Sequence, residues 1–193
     1  MKRLFDIVCS FFGLVFLSWL FVFVALWVGL SSKGGVFYRQ RRVGRCNRDF
    51  TIYKFRSMRV NSDRQGLLTI GGRDGRITKA GVFIRKYKLD ELPQLFNVLR
   101  GDMSFVGPRP EVRKYVELYT EEQKKVLTVR PGITSLSSIK YRNENEILSR
   151  SDNLEQYYID VIMQDKLAIE LDYLEQRSLL TDIKVIFQTI FGK

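Results

Sequence analysis

An uncharged run of 24 residues, Ile7 to Leu30, dominates the start of the chain. It is rich in Phe, Leu, Val and Trp. As a helix rising ~1.5 Å per residue it measures about 36 Å, enough to cross roughly 30 Å of hydrocarbon. A cleaved signal peptide would carry an apolar core of roughly 7–15 residues and a small-residue cleavage site. Here the run ends in Ser31-Ser32-Lys33-Gly34-Gly35. The pattern therefore predicts a membrane-inserted helix within residues 1–32. No repeat, linker or shift of composition divides residues 33–193, which are expected to form one further domain.

The later pattern predicts a small hairpin and then helices. Val36-Phe37-Tyr38 and Phe50 to Phe55 read as short strands, with the turn at Val43 to Asn47. Asn61 to Arg76 is polar and glycine-rich and reads as a long loop. Leu89, Leu92, Leu95, Phe96 and Leu99 recur at three and four, a helical stripe with Asp90 and Glu91 at its start and Pro93 in its first turn. Gly101 stops it. Gly107-Pro108-Arg109-Pro110 is a stiff turn. Glu111 to Val129 reads as one or two helices, with Thr120 and Gln123 spaced as a capping box. Pro131-Gly132 ends that stretch. Asp152 and Glu155 are spaced as a second box, opening a helix to about Glu175. Ile183, Ile186, Phe187, Ile190 and Phe191 form a last stripe, suited either to a core or to the membrane–water interface.

Charge narrows the partners. Thirty-two Lys+Arg against twenty-one Asp+Glu give a net +11. Residues 33 to 59 carry nine of the cations and only Asp49 in opposition, a local +8. Such a strip favours the cytoplasmic side and anionic lipid, and the balance calls for an anionic partner: phospholipid, nucleic acid or a phosphorylated substrate. Lys2 and Arg3 precede the apolar run. A single span would put them across the membrane from the +8 strip. A re-entrant helix keeps both flanks in the cytoplasm and is the form expected here. Two cysteines, Cys9 and Cys46, make no disulfide framework and read as intracellular.

The absence of histidine excludes a Ser-His-Asp triad, a Cys-His dyad and an imidazole metal site. No P-loop or dinucleotide fingerprint occurs. Cys46 lies among arginines without a base nearby. The better candidate is the pair Asp90-Glu91, preceded by Arg85, Lys86 and Lys88. A carboxylate at a helix N-terminus beside cations is expected to stay ionised, to attack phosphorus or to bind a divalent cation through oxygen. An N-cap acid and its neighbour is the plainer alternative. Arg109, between two prolines, is a rigid mount for a guanidinium suited to phosphate oxygens, or simply a surface-turn arginine.

The stretch from Lys88 to Pro110, KLDELPQLFNVLRGDMSFVGPRP, closely resembles the signature of the bacterial sugar transferases, the monotopic phosphoglycosyl transferases. The likeness takes in Lys2 to Asp6, Tyr53 to Met58, Arg130 to Thr134 and Leu180 to Lys184, in order, over nearly the whole chain. The resemblance implies a mainly α fold with a small β-hairpin, a re-entrant N-terminal helix and amphipathic interfacial helices around a compact cytoplasmic domain. It implies transfer of a sugar-1-phosphate from a UDP-sugar to a polyprenol phosphate, with release of UMP and a need for Mg²⁺. The setting is the cytoplasmic face of a bacterial inner membrane. Asp90 would be the nucleophile of a ping-pong reaction, Glu91 would serve catalysis, and the two would hold the metal. Arg85, Arg109, Arg142 and Asp182 would contact substrate. Two departures stand out. Ser18-Trp19 replaces the family's Ser-Pro helix break, and Ser135 to Tyr141 departs from its usual sequence, only Arg142 matching well. The contrasting reading is a non-enzymatic adaptor on anionic lipid. A nucleic-acid binder lacks a recognised motif or stacking platform here.

Overall fold

A computed structural model describes residues 1–31, 33–62 and 74–192. The chain is mainly helical with an antiparallel hairpin. Two helices open it, α1 (Lys2–Phe16) and α2 (Ser18–Ser31), followed by β1 (Phe37–Val43) and β2 (Asp49–Phe55). Then come α3 (Lys79–Lys86), α4 (Gln94–Arg100), β3 (Ser104–Val106), α5 (Arg113–Val116), β4 (Gly132–Thr134), α6 (Leu136–Lys140) and α7 (Glu144–Leu148). A long final hairpin of helices consists of α8 (Leu154–Tyr157), a π turn (Tyr158–Ile162), α9 (Met163–Gln176) and α10 (Leu179–Phe191).

The apolar run is two helices bent by 63°, not one. Among the described residues no single helix is long and apolar enough to cross a membrane, whereas the bent pair is by length and composition. The bend falls at Leu17 without a proline. Packing accounts for it. At Gly13, α1 lies against Leu95 of α4, where an added Cβ would sit 3.4 Å from the leucine methyl. Val24 and Val28 of α2 are buried against Phe55 and Ile84, a different neighbour set. Each half follows its own partner. The outer face of the pair leaves Phe11, Phe12, Phe16, Trp19, Phe23 and Leu26 exposed.

Polar residues of the first two turns fix α1 to the rest. Lys2 Nζ donates to Val106 O at 2.9 Å and pairs with Asp182 at 2.5 Å, and Arg3 donates to Val98 O and Leu99 O. Buried Asp6 accepts from Ser104 Oγ and from the Phe105 N–H. The flank read as a charge signal is therefore also a set of tertiary ties.

The hairpin pairs Phe37 with Phe55 and Val43 with Asp49. Its strands run longer than the pattern indicated, because Arg39 and Arg41 occupy the exposed side of β1 while their alternating neighbours are partly covered. A second, parallel pair joins Ser104 to Gly132 and Val106 to Thr134. The sequence reading missed it, since three-residue strands carry no periodicity. Gly107 and Gly132 make it possible: a Cβ on Gly132 would lie 2.2 Å from Gly107 N, and one on Gly107 2.5 Å from Arg130 O.

Several boundaries move. The stripe from Leu89 to Leu99 divides into a 3₁₀ turn, Leu89–Glu91, and α4, because Pro93 has no N–H to bond back to Leu89 O. Residues 111–129 hold only α5 and the 3₁₀ segment Gln123–Thr128. The capping box there is present, Thr120 N–H to Gln123 Oε1 at 2.9 Å and Gln123 N–H to Thr120 Oγ1 at 3.2 Å. The second box is replaced by Asn153, which accepts from the Gln156 N–H, while Glu155 pairs with Lys114. Helix α3 had no sequence expectation. In the loop expected over 61–76, residues 63–73 lie outside the described residues, and the Arg59 N–H to Arg76 O bond joins the two flanks. The largest core cluster gathers Val43, Tyr115, Val116, Tyr119, Leu148, Tyr158 and Ile162. The stripe on α10 is mostly turned outward, with Phe187, Ile190 and Phe191 exposed while Val185 is buried.

Candidate active site

Three pieces of chain converge on the acid pair. The 3₁₀ turn presents Asp90 and Glu91, β2 supplies Lys54, and the turn after β3 supplies Arg109. Lys88, just ahead of the acids, has φ 57°, a left-handed conformation that costs a side-chain-bearing residue roughly 1–2 kcal/mol. Such strain gathers where a particular side-chain placement is required. Asn97 of α4 locks the turn's support onto the hairpin: its amide donates to Thr51 O at 2.7 Å and its Oδ1 accepts from the Tyr53 N–H at 3.1 Å. Lys54 is the next residue along that strand.

Glu91 Oε1 takes both cations, Lys54 Nζ at 2.9 Å and Arg109 Nη2 at 2.8 Å. Asp90 is buried, and its Oδ1 has no hydrogen-bond partner. A buried carboxylate oxygen left bare is costly unless something else is meant to meet it. The two acids consequently diverge. Burial pushes the Asp90 carboxyl above its usual value; Lys54, Arg85 and Lys88 oppose this without overcoming it, and the neighbouring Glu91 charge adds to it. Burial also works to raise Glu91, yet Arg109 and Lys54 beside it hold its carboxyl well below the usual range. Burial, rather than the flanking cations, sets the direction of the Asp90 shift. The Lys54 ammonium is pulled downward, mainly by burial.

Both acids offer oxygen donors, which suit a hard cation such as Mg²⁺. The bare Asp90 Oδ1 is an atom that such an ion could satisfy. Among the described residues no group of three or more acidic or thiol side chains is assembled to hold a metal. The residues therefore fit Mg²⁺ only as part of a sphere that substrate oxygens and water complete.

The other candidates fall at different distances from this cluster. Arg85, in the last turn of α3, faces Asp90 electrostatically. Arg142 caps the far end of α10, donating to Gly192 O and to Thr189 O at 3.1 Å. Asp182 is buried between Lys2 and the Tyr173 hydroxyl, 2.5 Å from each. Among the described residues, neither Arg142 nor Asp182 hydrogen-bonds or ion-pairs with the acid pair. Lys54 was not singled out as a site residue. Its signal was a lone cation among the mostly aromatic and aliphatic residues of Phe50 to Phe55.

The residue pattern that defines the family described as bacterial sugar transferase matches residues 1–192. The chain is 38% identical over 194 residues to the UDP-N-acetylgalactosamine-undecaprenyl-phosphate N-acetylgalactosaminephosphotransferase of Aeromonas hydrophila, covering 98% of this chain and 42% of that protein. It is 36% identical over 199 residues to the UDP-glucose:undecaprenyl-phosphate glucose-1-phosphate transferase of Escherichia coli, covering 99% of this chain and 39% of that protein. It is 37% identical over 190 residues to the uncharacterized sugar transferase EpsL of Bacillus subtilis, covering 98% of this chain and 85% of that protein. The chain thus spans under half the length of the first two.

Proposed function

The chain belongs to the bacterial sugar transferase family, and from that premise we propose that it moves a sugar-1-phosphate from a UDP-sugar to a polyprenol phosphate, releasing UMP. Relatives that carry out this kind of transfer support the reaction class. The observation that carries the assignment of roles is Asp90 Oδ1, buried, unpartnered and beside a cation-held glutamate.

In this reading the Asp90 carboxylate attacks the sugar-bearing phosphorus of the donor. The bond to the bridging oxygen breaks, UMP leaves with that electron pair, and a phosphosugar-aspartyl ester remains. The acceptor's phosphate oxygen then attacks the same phosphorus, and the Asp90 carboxylate is the leaving group. Two anionic substrates need never occupy the site together, which removes their mutual repulsion. Arg109 steers phosphate oxygens with its fork, and Arg85 and Lys88 draw the donor inward. Lys54 and Arg109 keep Glu91 ionised and fixed. Asp90 and Glu91 would hold Mg²⁺, which when bound offsets charge on the donor diphosphate.

The exposed apolar faces of α1–α2 and α10 support insertion of the bent pair from one side of the membrane, the cytoplasmic side, with α10 at the interface. A purely adaptor role leaves the bare Asp90 oxygen without a purpose. The test is incubation with a panel of UDP-sugars without acceptor, followed by peptide mapping of the adduct. We expect UMP release near one equivalent and a phosphosugar on Asp90. An adduct elsewhere, or full turnover in Asp90→Asn, would overturn the assignment.

A further inference from the structure

A cleft of about 320 Å³ lies between the first turns of α1, the Thr128–Arg130 segment and the corner that starts α10, and it shares no lining residue with the Asp90 cluster. Its charge is lopsided. Lys2, Arg3, Arg45, Arg130 and Arg177 line it against Asp6 and Asp182. Both acids are already engaged, Asp182 by Lys2 and Tyr173, Asp6 by Ser104 and the Phe105 N–H. Apart from Lys2, the cations are not matched in return by a carboxylate among the described residues. Arg3 donates to Val98 O and Leu99 O, Arg130 to Gly101 O and Arg45 to Thr128 O. A carbonyl orients a guanidinium without neutralising it, so charge and spare N–H groups remain for an anion. Arg177 is exposed and, among the described residues, donates no hydrogen bond.

The surroundings indicate which anion. Leu4 and Leu180, next in sequence to the lining residues Arg3 and Leu179, are 67% and 72% exposed, and exposed apolar residues continue along α1 and α10. A charged cleft at the border of an apolar surface suits a molecule with a phosphate head and an acyl tail. We propose that it is a binding site for the phosphate of an anionic phospholipid headgroup, separate from the transferase centre. It rests on the membrane placement proposed above. Its role is to seat the N-terminus of α1 and the start of α10 on the lipid surface together.

Native mass spectrometry of the full chain in neutral detergent tests this by counting bound lipid, a readout independent of turnover. Phosphatidylglycerol and phosphatidylcholine are titrated separately, with inorganic phosphate as competitor. We expect one phosphatidylglycerol to bind ahead of phosphatidylcholine. Arg45→Gln/Arg177→Gln removes two rim charges and should weaken that first binding about thirty-fold, from the usual worth of a cation near an anionic lipid. Arg45→Lys/Arg177→Lys should retain most of it. Arg177→Gln alone disrupts no hydrogen bond and separates loss of charge from loss of folding. Equal binding of the two lipids, or unchanged binding in the glutamine variants, overturns the site. Displacement by inorganic phosphate at concentrations similar to the lipid overturns the headgroup assignment in favour of a soluble phosphate.

Discussion

Asp90 and Glu91 are neighbours in sequence and are driven in opposite directions by what surrounds them. Asp90 is raised by burial, so the folded state binds its proton more tightly than the unfolded chain does. Stability from this group is therefore gained as pH falls and lost as pH rises through its raised value. Asp90→Asn should raise the melting temperature at neutral pH while abolishing UMP release, and a decrease in melting temperature would contradict the burial argument. If Asp90 is the nucleophile proposed above, the same shift places the acid limb of the pH–rate profile above the ordinary aspartate value, since the carboxylate form would be the one that attacks. Glu91 behaves the other way: its stabilising contribution is present at neutral pH and is lost as pH falls through its depressed value. Glu91→Gln leaves Lys54 and Arg109 without their counter-charge and should cost about 3 kcal/mol in chemical denaturation. Arg109→Lys keeps charge but loses the fork that reaches Glu91, and we expect roughly a 10²-fold loss in kcat/KM with folding preserved.

At the scale of elements, two features decide where the site sits. One is the parallel pair β3–β4, whose backbones approach so closely that only glycine fits at 107 and 132. Gly132→Ala should cost about 3 kcal/mol by forcing the strands apart, and should lower activity by moving the Pro108–Pro110 mount of Arg109. A variant with native melting behaviour and activity would show the approach to be looser than described. The other is the bend at Leu17. If α1 and α2 enter and leave one side, a cysteine appended to the N-terminus, with Cys9 and Cys46 replaced, stays shielded from an impermeant reagent outside intact cells. Labelling from outside would establish a true span.

For the molecule as a whole, the ends of the chain meet. Lys2 lies against Asp182 and Tyr173, tying the first helix to the last two. Lys2→Met strands a buried carboxylate and should lower stability by roughly 1–2 kcal/mol, with Asp182→Asn recovering part of it in the double variant. Additive losses would deny the pairing. The net +11 acts at this scale too. Donor capture should weaken as salt rises, read as an increase in KM with kcat nearly unchanged.

What the sequence determined by itself was local or compositional. The apolar run, the hairpin, the Gly101 stop, the Thr120–Gln123 box and the helical stripe of α10 each depend on residues near one another in the chain, so spacing alone carries them; that the stripe faces outward came from the structure. The acid pair was visible at an expected helix start beside Arg85, Lys86 and Lys88, Arg109 between its two prolines, and both within the stretch that resembles the family signature. Tertiary structure decided the rest. Lys54 joined the site because Asn97 pins α4 to β2, a contact between residues more than forty positions apart. The bend in the first helix came from two different packing partners where no proline marks it. Asp182 and Lys2, read separately as a candidate substrate contact and a membrane flank, became one ion pair with a buried carboxylate and a partly exposed ammonium. The direction of the Asp90 shift was decided by the same means: a list of neighbouring cations counts charges, while burial depends on how the whole chain closes over the group.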